Sequence, residues 1–99
     1  MNLTPYRTPT PNETDISFPA LECWNPMTEV ATIAAQVSKR RVLCRISLEV
    51  LQEKFAVSTG GPMRVVVENR PTIESAARKL IENGVYEEDG SIIIRRTDI

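Results

Sequence analysis

Arg40-Arg41-Val42-Leu43-Cys44-Arg45-Ile46-Ser47-Leu48-Glu49-Val50-Leu51-Gln52-Glu53-Lys54-Phe55 changes its apolar period partway along, and that change decides the fold. Up to Ile46 the apolar residues Val42, Cys44 and Ile46 alternate with Arg41 and Arg45, which puts them on opposite faces of an extended strand. After Ser47 the spacing becomes Leu48, Leu51, Phe55, the stripe of a short helix. Ser47 stands where an N-cap is needed, since its hydroxyl can accept from an unpaired amide of the first turn. Glu49 next to that terminus suits the positive end of the helix dipole.

Working upstream, Glu29–Val37 is rich in β-branched residues, with Glu29, Ala31, Ile33, Ala35 and Val37 in alternate positions. Only Ser38-Lys39-Arg40 separates it from the next strand, so the two form an antiparallel hairpin. Residues 15–19 (Asp15-Ile16-Ser17-Phe18-Pro19) predict a short strand, whose proline suits an edge. Ala20–Thr28 reads as a loop, with Trp24 lying over the core. Residues 1–14 hold three prolines and four threonines and almost no apolar side chains. They are expected to form a flexible tail, because they cannot bury enough surface to offset the entropy of ordering.

Downstream, Ser58-Thr59-Gly60-Gly61 is a break. Pro62–Asn69 contains Val65-Val66-Val67, a strand-like run, yet Met63, Val66 and Val67 stay in helical phase with Ile73 and Ala77. Phase continuity predicts one helix kinked at Pro71, which offers no amide to the Val67 carbonyl. Ile73, Ala76, Ala77, Leu80 and Ile81 then make a full apolar stripe, and Asn83-Gly84 ends it. A turn at Glu88-Asp89-Gly90 leads to a final strand, residues 91–97. The expectation is an α+β domain over 15–99: a small antiparallel sheet in the order β-β-β-α-α-β, with two helices packed on one face. Val42, Cys44, Ile46, Leu51, Phe55, Ile73, Ala77, Leu80 and Ile94 are its expected core.

Ninety-nine residues make one domain with a single modest core. The apolar and charged fractions, 41% and 25%, are ordinary globular values. No apolar run is long enough to span a membrane, and none follows a basic N-terminus, so the expected address is the cytoplasm, away from any membrane. There Cys23 and Cys44 are expected as free thiols. The chain has no histidine, which removes the commonest general base and zinc ligand together.

Three separated stretches carry a resemblance. Val42-Leu43-Cys44-Arg45-Ile46-Ser47-Leu48-Glu49-Val50-Leu51, the run Asn69-Arg70…Ile73-Glu74…Ala77-Arg78-Lys79, and Asp89-Gly90-Ser91-Ile92-Ile93-Ile94…Asp98 together resemble a bacterial family known as domain of unknown function 1488. Its members carry a C-R-I-S-x-E-x-L motif, an N-R-x-x-I-E helix and a closing D-G-S-hydrophobic strand. The resemblance runs from about Asp15 to the C-terminus, and the chain departs from the pattern in its Pro/Thr-rich extension and in Pro71. It implies a small bacterial α+β domain with the hairpin followed by helices. It transfers no catalytic residue.

The residues themselves assemble no catalytic constellation, no metal set and no cofactor site. Glu87-Glu88-Asp89 lies at a turn, where solvated charge is ordinary. Gly60-Gly61 lacks the Lys-Ser/Thr of a phosphate loop. Cys44, on a strand between Leu43 and Arg45, faces the core. The chain is therefore expected not to be an enzyme.

Charge layout is the remaining signal. Lys39, Arg40, Arg41, Arg45, Arg95 and Arg96 supply half of the twelve basic residues, and all lie in the hairpin and the last strand. Glu49, Glu53, Glu68, Glu74 and Glu82 all fall on helices. These six basic residues are the candidate binding surface, unless they merely guard strand edges and meet carboxylates from helix ends. As a binding surface they suit an unknown protein partner or self-association through an open strand edge, which makes the domain an interaction or regulatory module. Nucleic acid or another polyanion is the alternative. A net charge of −1 and the lack of aromatics on the basic strands weaken that alternative.

Overall fold

The hairpin is the frame of the molecule. In a computed structural model that describes residues 15–55 and 60–99, β3 (Val30–Val37) and β4 (Arg40–Ser47) pair antiparallel along their whole length, from Val30 opposite Ser47 to Val37 opposite Arg40. A two-residue turn joins them, with Ser38 at a φ of 57°, a conformation that glycine usually supplies. Ala31, Ile33 and Ala35 face the core opposite Ile46, Cys44 and Val42. The polypeptide then turns straight into α1 (Leu48–Lys54), and the Ser47 Oγ accepts from the Val50 amide at 3.3 Å, the N-cap that the sequence predicts.

A first strand runs along the free edge of β3 in two pieces. β1 (Ile16–Ser17) and β2 (Glu22–Asn25) both pair antiparallel with β3, at Val37–Gln36 and at Ile33–Val30. Phe18–Leu21, four residues, therefore oppose only Ala34 and Ala35. The chain bulges there through a tight turn in which the Leu21 amide donates to the Pro19 carbonyl at 2.7 Å. β2 lies inside the stretch expected to be a loop, so the chain has one strand more than expected. It is closed onto β3 by a turn in which the Asn25 side chain accepts from the amides of Met27 and Thr28.

The helical layer also differs in detail. In place of one kinked helix there are two, α2 (Gly61–Glu68) and α3 (Arg70–Glu82). The break falls at Asn69, whose backbone amide and side-chain amide both donate to the Val65 carbonyl, at 3.0 and 2.8 Å. Pro71 lands in the first turn of α3, where a missing amide costs nothing. At the other end Gly84, with φ 69°, closes α3: its amide donates to Ile81 and that of Val85 to Leu80.

β5 (Ile92–Ile94) joins the sheet beside β4 and parallel to it, giving the order β1-β3-β4-β5 with β2 also on β3. The sheet is thus mixed, mostly antiparallel. Parallel neighbours need a crossover connection, which the helices on one face supply here. A short 3-10 turn, Arg96–Asp98, stands where the last strand was expected to continue.

All three helices bury their stripes against one face of the sheet. Leu51, Val65, Val66, Ile73, Ala76, Ala77, Leu80 and Ile81 meet Ile33, Val42, Cys44, Ile46, Ile92 and Ile94 in one core. Every expected core residue is in it, with Phe55 packed at its edge. The α+β class with helices on one face is therefore correct. Residues 1–14, expected as a tail, and 58–59 of the expected break at 58–61 lie outside the described residues.

Candidate functional site

None of the described helices covers the second face of the sheet. Parity fixes what it displays: Thr32, Ala34 and Gln36 from β3 stand opposite Arg45, Leu43 and Arg41 from β4. Cys23 lies beside Thr32, and Ile93 beside Arg45. Leu21 and Leu43 are large apolar side chains left 49% and 41% exposed there. With Glu22, Cys23, Thr32, Ala34 and Arg41 they line a shallow groove. No carboxylate stands among these outward-facing strand positions.

The six basic residues expected to form a surface take several directions. Arg41 and Arg45 do share the open face, as alternation requires. Arg40 points the other way and lies over the Tyr86 ring, 5.4 Å from its centroid. Lys39 is in the hairpin turn. Arg95 meets Glu87 at 3.7 Å, while Arg96 reaches Glu53 on α1 at 3.3 Å. Arg41 stands beside the apolar groove and has no ion-pair partner among the described residues.

Arg45 is held in a local network. Its Nη1 donates to Asp89 Oδ2 at 3.1 Å and to the Ser91 hydroxyl at 3.2 Å. Asp89 Oδ1 accepts from the Ser91 amide at 2.9 Å and from its hydroxyl at 2.5 Å. These bonds from Ser91, helped by Arg45, hold the Asp89 carboxyl down at about 2. The network joins two of the sequence motifs, Cys-Arg-Ile-Ser and Asp-Gly-Ser, and fastens β5 to β4.

Arg70, in the third motif, is a residue that charge reading missed, because its stretch reads as a helix start. Its side chain is only 14% exposed. It donates to the Pro19 carbonyl at 2.5 Å and to that of Leu21 at 3.5 Å, and pairs with Glu22 at 3.3 Å and Glu74 at 2.7 Å. One guanidinium thus ties both ends of the strand bulge to α3 and so places Leu21 on the open face. Leu43 was legible between Arg41 and Arg45. Leu21 was not, since it depends on β2.

The cysteines are both free: Cys23 exposed, Cys44 buried with its thiol pushed up to about 12 by burial. Among the described residues, no three His, Cys, Asp or Glu side chains group as metal ligands, and no helix is long and apolar enough to cross a membrane.

Comparison with known proteins agrees with this architecture. The family model described as a protein of unknown function (DUF1488) matches residues 16–94. The crystal structure of a protein of unknown function of that family from Shewanella loihica PV-4 superimposes with a TM-score of 0.72. The two chains are 24% identical over 82% of this one and 92% of the other, so the likeness is one of fold. No curated protein matches the chain.

Proposed function

The chain belongs to the DUF1488 family of proteins of unknown function, and we propose from its geometry that it is a non-catalytic interaction module whose open sheet face docks an acidic protein surface. The observation that supports this most is the pairing of exposed Leu21 and Leu43 with Arg41, which has no ion-pair partner among the described residues, around one groove. An apolar centre with arginine at its rim is the composition of a binding patch, since arginine and large apolar groups concentrate there. Arg41 at the rim of the groove favours a partner that brings a carboxylate to it. The exposed free thiol of Cys23 supports the bacterial cytoplasm as its compartment.

Cys23 gives the test a handle. A photo-crosslinker attached there samples the open face directly, in extract from the source organism. The expected result is an adduct with an acidic protein, lost in Leu43→Asp and Arg41→Glu variants that remain folded by circular dichroism. Adducts that survive both substitutions would refute the docking face. Heparin retention at low salt is the control for polyanion binding. Retention that Arg41→Gln abolishes would turn the reading toward nucleic acid.

A further inference from the structure

We propose that the hollow where β4 and β5 end is a binding site for a small organic anion, a monocarboxylate with an apolar body. The hollow measures about 460 Å³, inside the size range of small-molecule sites. Val30, Val50 and Ile93 give it an apolar wall over the buried Ile46 and Ile94, with Arg45 and Ser47 also in the lining. Burying a hydrocarbon chain against such a lining is favourable in proportion to the area removed from water.

Its mouth carries the donors for an anionic head. Arg95 caps the 3-10 turn and Arg96 opens it, and the backbone there is fixed: the Arg95 amide donates to Asp98 Oδ2 at 2.7 Å, and the Asp98 amide to the Arg95 carbonyl at 2.9 Å. Their contacts with Glu87 and Glu53, at 3.7 and 3.3 Å, are long for charge-assisted hydrogen bonds, which run about 2.7–2.9 Å. Both side chains are more than half exposed, at 55% and 68%. A guanidinium has five N–H donors, so each arginine keeps donors free for a carboxylate at the mouth. Glu49 and Glu53 line the α1 side. They repel a second negative charge, which favours a monoanion over a phosphate monoester and turns the head toward the 3-10 turn. This site stands apart from the open-face groove and does not depend on it.

Octanoate, octyl phosphate and 1-octanol, titrated into the full chain and followed by amide chemical shifts, test the assignment. Octanoate should saturate and shift the amides of Ile93–Arg96 and Ser47–Val50, with at least about tenfold tighter binding than 1-octanol, the worth of one charge-assisted contact. Arg95→Gln with Arg96→Gln should weaken octanoate about tenfold or more while leaving 1-octanol unchanged. Val50→Phe, which occupies the hollow, should weaken both. Equal binding of octanoate and 1-octanol, tighter binding of octyl phosphate, or shifts confined to Leu21, Cys23 and Leu43 would each overturn the proposal. So would an octanoate affinity that neither variant changes.

Discussion

Removing the guanidinium of Arg70 should loosen the first strand before it unfolds the sheet. In Arg70→Ala, Glu22 and Glu74 lose their shared cation and the Pro19 carbonyl loses one of its two donors. A hydrogen bond to a charged group contributes ~1.5–3 kcal/mol, and breaking a fully buried ion pair costs ~3–5 kcal/mol. The two carboxylates here keep 22% and 29% of their surface in water. Water therefore offsets part of the loss, and the expected cost is about 2–4 kcal/mol. Lysine offers a point charge and no fork, so Arg70→Lys should recover only part of it. Urea unfolding measures this as a lower midpoint at an unchanged m-value. Amide exchange should then accelerate more across Glu22–Asn25 than across Val42–Ile46. A cost below about 0.5 kcal/mol, or full rescue by lysine, would show that the bulge is held by something else.

Gly84→Ala should cost ~1–2 kcal/mol by thermal or urea unfolding, through the left-handed backbone alone, because nothing lies within 4 Å of the added methyl. Asp89 sets an acid limb. Its folded value of about 2 lies below the 3.8 of the free group, so its contribution is present above pH 4 and is lost as pH falls toward 2. Asp89→Asn should flatten the stability profile over that window, and an unchanged profile would show the network to be idle. A thiol reagent at pH 8 should modify Cys23 at once and Cys44 only on unfolding, because the Cys44 thiolate is negligible at a value near 12.

Local chemistry made the hairpin and its helix readable. Alternation sorted Val42, Cys44 and Ile46 from Arg41, Leu43 and Arg45, and Ser47 capped what followed. β2 escaped because Pro19 and the tight turn at Phe18–Leu21 interrupt the extended run, although the two extra residues leave Ile16 and Trp24 on the same face. Asn69 was unreadable as a break for a different reason. Its side chain ends α2 by bonding Val65, a role that asparagine does not announce mid-helix, whereas Pro71 looked disruptive and is harmless in a first turn. For the charged residues, parity told which face each arginine takes. Their partners lie too far along the chain to be inferred: Arg45 finds Asp89 and Arg96 finds Glu53, each more than 40 residues away.

An unbroken strand from Ile16 to Asn25 would present a straight row of free amides and carbonyls along the outside of the sheet, a template on which further chains could stack. The bulge cuts that row into a piece of two residues and a piece of four, with Pro19, which has no amide to offer, between them. Neither piece is long enough to seat an added strand, so intermolecular strand pairing and fibre growth find no foothold on this side. The bend that sets Leu21 on the open face thus also protects the protein against aggregation in a crowded cell.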